Sequence, residues 1–390
     1  MLSSIDSLNE WIRKGFLDIN TELEEYYYSK NTLLVDDEIT IALKKSLVEE
    51  GKALIAAILD NPDEIPAHYE DRFYLLGNVG MYMAACRRHE ADTPLENGYS
   101  PLTEASTISF QLGSALGVAP RFMATHLGIY NRAENGVYRT FTHLKDEYVF
   151  IDYNTLGTLA YKKASDALER AMRFGVTHPL TAYLFNDAKT GLDEVLKFNE
   201  ILDEKLDVMR FFYNVRPYYK PYRIGRRDYR GANAGDFAAV NEIDLFTGLC
   251  SRDDPFYLDI LIDKKAYMPQ DEQIRLQDSI GKTSFMDLFL REPDTSHTLP
   301  EFKANLKSFL DVCEIHGRAY AYHHDELVKK YIEDPAIKLP ETKMDDLTAS
   351  GPPLPVLLRS LEKIRDLRLA ADRDDILTRY ADLKKLKGLL

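Results

Sequence analysis

Cysteine is scarce in this chain. Cys86, Cys250 and Cys313 are the only three in 390 residues. They are odd in number and far apart, with no C-x-x-C pair, which argues against a disulfide framework and a thiolate zinc site. They read as buried thiols. Long apolar runs are missing too: nowhere do about 18 apolar residues follow one another, so no segment is built to cross a bilayer as a helix. The first 30 residues scatter Asp6, Glu10, Asp18, Glu22, Glu24 and Glu25 where a signal peptide needs basic and then apolar residues, so the expectation is a cytoplasmic protein. Basic charge is short as well, with 49 Lys and Arg against 63 Asp and Glu, a formal net charge of −14. Such a surface repels nucleic-acid backbones and anionic membranes, and neither is expected as a partner.

Glycine and proline together stand below the usual share of roughly 12%, and most of them fall between periodic segments. That favours helices. Apolar residues recur near helical spacing from Asp37 to Leu59, Tyr153 to Phe174 and Leu192 to Phe212, and all three read as amphipathic helices. From Thr298 the run T-L-P-E reads as a capping box with proline in the first turn. It opens the longest helix, through Phe302, Phe309, Cys313 and Leu327 to Ile332, ended before Pro335. Period-2 alternation is nearly absent, Glu147 to Ile151 being the one modest strand candidate. The fold class is therefore all-α. A composition shift near residue 150 suggests a smaller N-terminal helical part, 1–150, and a larger one, 151–390.

Two stretches resist helix. Residues 214–232 carry two prolines and two glycines and read as a long extended loop, of the kind that is usually functional. Pro335 to Pro355, with Ser350, Gly351, Pro352 and Pro353, reads as a linker or lid before a last amphipathic helix from Val356 to about Leu389. Tryptophan occurs once, whereas 24 Tyr and 18 Phe suit a core or pocket lined with flat rings.

The chemistry-bearing residues cluster in two places. On the long helix, His316 and His323 share one face and His324 points about 100° away. A neutral imidazole on a rigid helix is what a haem iron asks of an axial ligand; surface or core histidines are the plain alternative. In the 216–230 stretch, Arg216, Lys220, Arg223, Arg226, Arg227 and Arg230 alternate with Tyr218, Tyr219, Tyr222 and Tyr229. Three readings stay open for this island: a solvated loop paired with the excess acids, a carboxylate site for a small molecule, and a surface that stacks bases. Zinc-hydrolase, P-loop and G-x-S-x-G patterns are absent.

Several segments in order carry a family resemblance: F-F-Y-N-V-R-P-Y at Phe211 to Tyr218, R-G-A-N-A-G at Arg230 to Gly235, D-L-F-T-G at Asp244 to Gly248, Y-M-P at Tyr267 to Pro269, and H-D-E-L-V-K-K-Y-I at His324 to Ile332. Their spacing resembles that of the haem-dependent indoleamine 2,3-dioxygenase superfamily. The arginine loop and the G-V-A-P-R run with His126 and Asn131 downstream resemble most closely its monodechloroaminopyrrolnitrin synthase branch. The resemblance covers roughly residues 75 to 370.

It implies a two-domain helical protein with non-covalent haem b in the larger domain and His324 as the iron ligand. Arg216 would hold a substrate carboxylate, with Phe211 and Phe212 against the aromatic ring. Gly231, Ala232 and Asn233 would form the turn beside the cofactor. Ser350 and Gly351 would fall in a loop over the substrate, His126 in a distal catalytic position. Ala321 stands where the dioxygenase has an arginine, so a haem-propionate partner must come from elsewhere, such as Arg318. The implied activity is oxygenation of an indole or tryptophan-like amino acid in secondary metabolism, with O₂ or peroxide as oxidant and an electron donor if one oxygen atom is inserted. A haem- or small-molecule-binding protein without turnover is the rival.

Overall fold

The computed structural model describes residues 2–337 and 354–390. Its helices in chain order are α1 (Ser4–Ile12), α2 (Gly15–Ser29), α3 (Glu38–Asp60), α4 (Tyr69–Arg88), α5 (Thr103–Leu116), α6 (Lys145–Met172), α7 (Leu180–Lys205), the single turn α8 (Val208–Arg210), α9 (Ala238–Thr247), α10 (Pro255–Lys265), α11 (Gln270–Ile280), α12 (Phe285–Arg291), α13 (Pro300–Tyr322), α14 (Asp334–Ile337), α15 (Leu354–Arg368) and α16 (Tyr380–Lys387). The one sheet among the described residues is a two-stranded hairpin, β1 (Tyr222–Ile224) antiparallel to β2 (Arg227–Tyr229), so the fold is all-α as expected. All three cysteines are free and buried.

The chain forms two compact units, one of residues 1–152, 205–236 and 331–354, the other of 153–204, 237–330 and 355–390. In the first, α3 starts where the sequence says it should. Asp37 accepts from the Thr40 N–H at 3.0 Å, and the Thr40 hydroxyl accepts from the Asp37 N–H at 3.0 Å, a reciprocal cap. Helix α4 is the centre of this unit. Every residue from Phe73 to Cys86 is buried, and a helix surrounded on all sides has no apolar stripe for periodicity to reveal. At Gly80 the helix presses on the chain at Phe122, where an added Cβ would stand 2.5 Å from the backbone nitrogen. In the second unit, Phe185, Phe285, Phe289, Phe302 and Phe309 pack in one apolar cluster, with ring centroids 4.8–6.4 Å apart.

Several expectations are corrected. Glu147–Ile151 is the first turns of α6, because the Glu147 carboxylate takes the Phe141 and Thr142 N–H groups and turns the chain into the helix. The 214–232 stretch is a π-helical turn (Phe211–Val215), a 3₁₀ turn (Arg216–Tyr219) and the hairpin; Gly225, at φ +58°, supplies the tight turn between the strands. Thr298 caps nothing: its hydroxyl donates to the Thr295 carbonyl, and Leu299 precedes Pro300, the first helical residue. The long helix does not stop before Pro335 but widens into a π-helix over His323–Glu333 and continues as α14. The wider turn gives the proline ring room that a straight α-helix denies. The final helix is split between α15 and α16 at Ala370, whose φ of +44° is left-handed; the Ala371 N–H closes that turn onto the Asp366 carbonyl at 2.9 Å.

Because the wall facing Gly80 is backbone, it cannot rotate aside. Gly80→Ala is expected to destabilise the protein by about 1–3 kcal/mol, read as a lower urea midpoint with an unchanged slope.

Candidate functional site

The second unit carries two histidines where α13 gives way to the π-helix, a form often found at functional positions. His324 Nδ1 lies 2.9 Å from Asp325 Oδ1, and Arg365 of α15 donates to that same oxygen at 2.9 Å. With the carboxylate as acceptor, Nδ1 carries the proton and Nε2 keeps its lone pair. Nε2 is buried and has no hydrogen-bond partner among the described residues. Neighbouring His323 is half-buried and stacks on Tyr320 with ring centroids 6.0 Å apart. Burial, followed by the charges of His324 and Arg368, pulls its pKa down to about 4, so it is neutral at pH 7.

His316 is wholly buried; its Nε2 donates to Asp244 at 2.7 Å, and its Nδ1 is buried without a hydrogen-bond partner among the described residues, so it shares the pattern of His324 with the ring nitrogens exchanged. The described residues hold no group of three or more His, Cys, Asp and Glu side chains arranged for a metal ion. A haem iron, already held by four ring nitrogens, needs only one such histidine. A buried, unpartnered imidazole nitrogen with a carboxylate behind the ring fits that demand.

In the first unit, Arg216 opens the 3₁₀ turn and is buried, 7% exposed. Among the described residues it has no carboxylate partner, and its Cζ lies 5.8 Å from the centre of the Phe212 ring. Burial is the sole cause that pushes its pKa down to about 10. The turn that carries it is held from behind. Arg88 donates to both oxygens of Glu24 at 2.8 Å, and to the Tyr213 carbonyl at 3.1 Å, while Asn214 donates to Glu24 at 2.9 Å. Phe211 packs against Phe150 (4.9 Å) and Tyr331 (5.9 Å), and Phe150 meets Tyr219 edge-on at 5.5 Å. Cation and flat rings thus share one short segment.

The remaining expected site residues are placed as follows. His126 is fully buried in the first unit, accepts from the Met123 N–H through Nδ1 at 3.0 Å and lies 4.1 Å from the Phe73 ring; Gly77 leaves it the space, since a Cβ there would come within 2.9 Å. It is a core histidine by its contacts. The Gly231–Gly235 turn is bonded within itself: the Ala232 N–H donates to the Tyr219 carbonyl, the Asn233 N–H to Asp236, and the Gly235 N–H to the Asn233 side chain. Arg230 pairs with Asp236 at 2.8 Å and Arg223 with Asp228 at 2.6 Å, so much of the positive island is neutralised locally. Arg318 is exposed on α13. Ser350 and Gly351 lie outside the described residues. Asp325, Arg365 and the Glu24–Arg88 pair were not anticipated. The available signal was a set of charged residues inside otherwise apolar helical segments.

Residues 3–390 match the family model described as monodechloroaminopyrrolnitrin synthase PrnB. No curated protein matches the chain. Among the described residues no helix is long and apolar enough to cross a membrane.

A buried cation without a counter-ion costs stability whenever its site is empty. The sign follows from burial: the folded pKa stands near 10, below the ordinary 12.5, so the penalty is present at neutral pH and fades as pH rises through that interval. Arg216→Met should therefore raise the stability of the ligand-free protein at pH 7 by about 1–3 kcal/mol, measured by urea unfolding.

Proposed function

The chain belongs to the monodechloroaminopyrrolnitrin synthase family, haem-dependent oxygenases of the indoleamine 2,3-dioxygenase superfamily, and from that premise we propose that it oxygenates a tryptophan-like amino acid held by Arg216, with haem b on His324. The observation that carries the substrate half of this reading is the buried guanidinium of Arg216, which has no carboxylate partner among the described residues. An enzyme that keeps such a group gains from an anionic ligand what the empty site lacks, and a carboxylate matches the planar fork of arginine in two hydrogen bonds. Phe211 and Phe212 flank the same turn and give the ring of an aromatic amino acid an apolar surface. Decarboxylated amines have the ring but not the anion.

When bound, haem supplies the O₂ chemistry that amino-acid side chains lack. The protein's own part is to bind and orient. His324 offers Nε2 as the donor, with its tautomer fixed by Asp325. Arg216 fixes one end of the substrate, so the position of the ring is set by a rigid turn braced on Glu24 and Arg88. Gly231, Ala232 and Asn233 supply a pre-formed turn for the cofactor edge, with Arg318 as the proposed propionate partner. Ser350 and Gly351 are assigned to the substrate side on the family pattern alone. Insertion of both oxygen atoms balances its electrons within substrate and O₂, whereas insertion of one with release of water needs two external electrons and two protons. The dependence of turnover on added reductant separates these outcomes.

Two measurements test the assignment. His324→Ala should lose the Soret band, while His323→Ala keeps it; the reverse pattern would move the ligand by one residue. Arg216→Met should weaken binding of an aromatic amino acid at least tenfold with haem content intact, in keeping with a loss of about 2–5 kcal/mol for a buried charged contact. Equal affinity of the wild-type protein for the acid and its decarboxylated amine would remove the clamp.

A further inference from the structure

Adjacent residues on a helix do not face one another, yet His324 and Asp325 are hydrogen-bonded at 2.9 Å. The pair is held by a third group. Arg365 donates to Asp325 Oδ1 through one terminal nitrogen at 2.9 Å and to Asp366 Oδ1 through Nε at 2.9 Å. Asp366, 5% exposed, is gripped in turn by Arg373 at 2.5 Å. The result is an ordered series, His324, Asp325, Arg365, Asp366 and Arg373, running from the imidazole to the far end of α15. Asp325 itself is half exposed, at 49%, whereas His324 is 16% exposed.

We propose, on the premise that His324 is the haem ligand, that Asp325 is a positioning residue that sets its donor strength and that Arg365 moderates the effect. A carboxylate accepting from Nδ1–H draws that proton away from the ring and leaves Nε2 electron-rich. Arg365 bonds the same carboxylate oxygen, competes for its charge and so weakens its pull on the imidazole. The half-exposure of Asp325 makes this a graded control, because water also shares the carboxylate. With haem bound, a stronger imidazole donor at His324 would favour ferric over ferrous iron.

The two residues make opposite predictions, which a merely structural role would not. In the ferrous haem-loaded protein, Asp325→Asn should lower the iron–histidine stretching frequency and raise the midpoint potential. Arg365→Met should raise the frequency and lower the potential, and Asp325→Glu should return both toward wild type. Resonance Raman spectroscopy and spectroelectrochemistry read these shifts, with haem content measured as the pyridine haemochrome. Full haem content with unmoved frequencies, or shifts of the same sign in Asp325→Asn and Arg365→Met, overturns the inference. If Asp325→Asn cannot retain haem, Arg365→Met decides alone, and a frequency that stays or falls overturns it. His324→Ala separates the two levels. Haem retained by that variant sinks the ligand assignment and this inference with it, whereas haem lost there, with no shifts elsewhere, sinks this inference only.

Discussion

Asp244 is the constraint on which the second unit depends. Its carboxylate has no exposure to solvent and accepts four hydrogen bonds: Arg368 Nε at 2.8 Å and a terminal Arg368 nitrogen at 2.6 Å, His316 Nε2 at 2.7 Å and the Tyr257 hydroxyl at 2.7 Å. Burial pushes its pKa up, but Arg368 and His316 outweigh burial and hold it well below the usual carboxylate range. One side chain of α9 thereby fixes α10, α13 and α15. A buried ion pair adds little net stability, because desolvation offsets attraction, but leaving one partner unpaired is costly, so the arrangement is specified narrowly. Its reach extends to the histidines. The Arg368 guanidinium lies 4.1 Å from the Tyr320 ring, on which His323 stacks. Gly317 lets α13 approach so closely that a Cβ would stand 2.9 Å from the Arg368 carbonyl.

The first unit shows how a buried cation differs when it is structural. Arg139 has no exposure, and burial pushes its pKa down to about 10, as for Arg216. Yet Arg139 donates to the Tyr74 and His126 carbonyls and to the side chains of Asn78 and Asn131, and stacks 3.7 Å from the Tyr74 ring. Arg88 has Glu24. Arg216 has neither carbonyls nor a carboxylate among the described residues. Buried charged groups in folded proteins usually have partners, and that contrast is what sets Arg216 apart from Arg88 and Arg139.

Glu147 shows the opposite case, a perturbed group with a structural duty. Burial lifts its pKa to about 7. Its oxygens nonetheless accept from the Phe141 and Thr142 N–H groups and the Thr142 hydroxyl at 2.6–2.7 Å, which fixes the entry into α6. A shifted carboxyl with every acceptor site occupied by its own backbone is a cap.

By itself the sequence determined what local rules and short patterns can encode. The all-α class follows from scarce glycine, proline and strand alternation, the start of α3 from an Asp and a Thr three residues apart, and the family from segments in register, with Arg216 and His324 among them. Helix α4 was hidden because burial on every face erases the period that betrays a helix. The π-helix and the hairpin were hidden because neither has a distinctive local propensity. Which of the arginines meet a carboxylate was decided only by tertiary structure. So was the Asp244 clamp, whose partners lie 72 and 124 residues away in the chain. Hydrogen bonds and desolvation depend on what packs alongside a side chain, and for residues that distant only the folded chain supplies the neighbour.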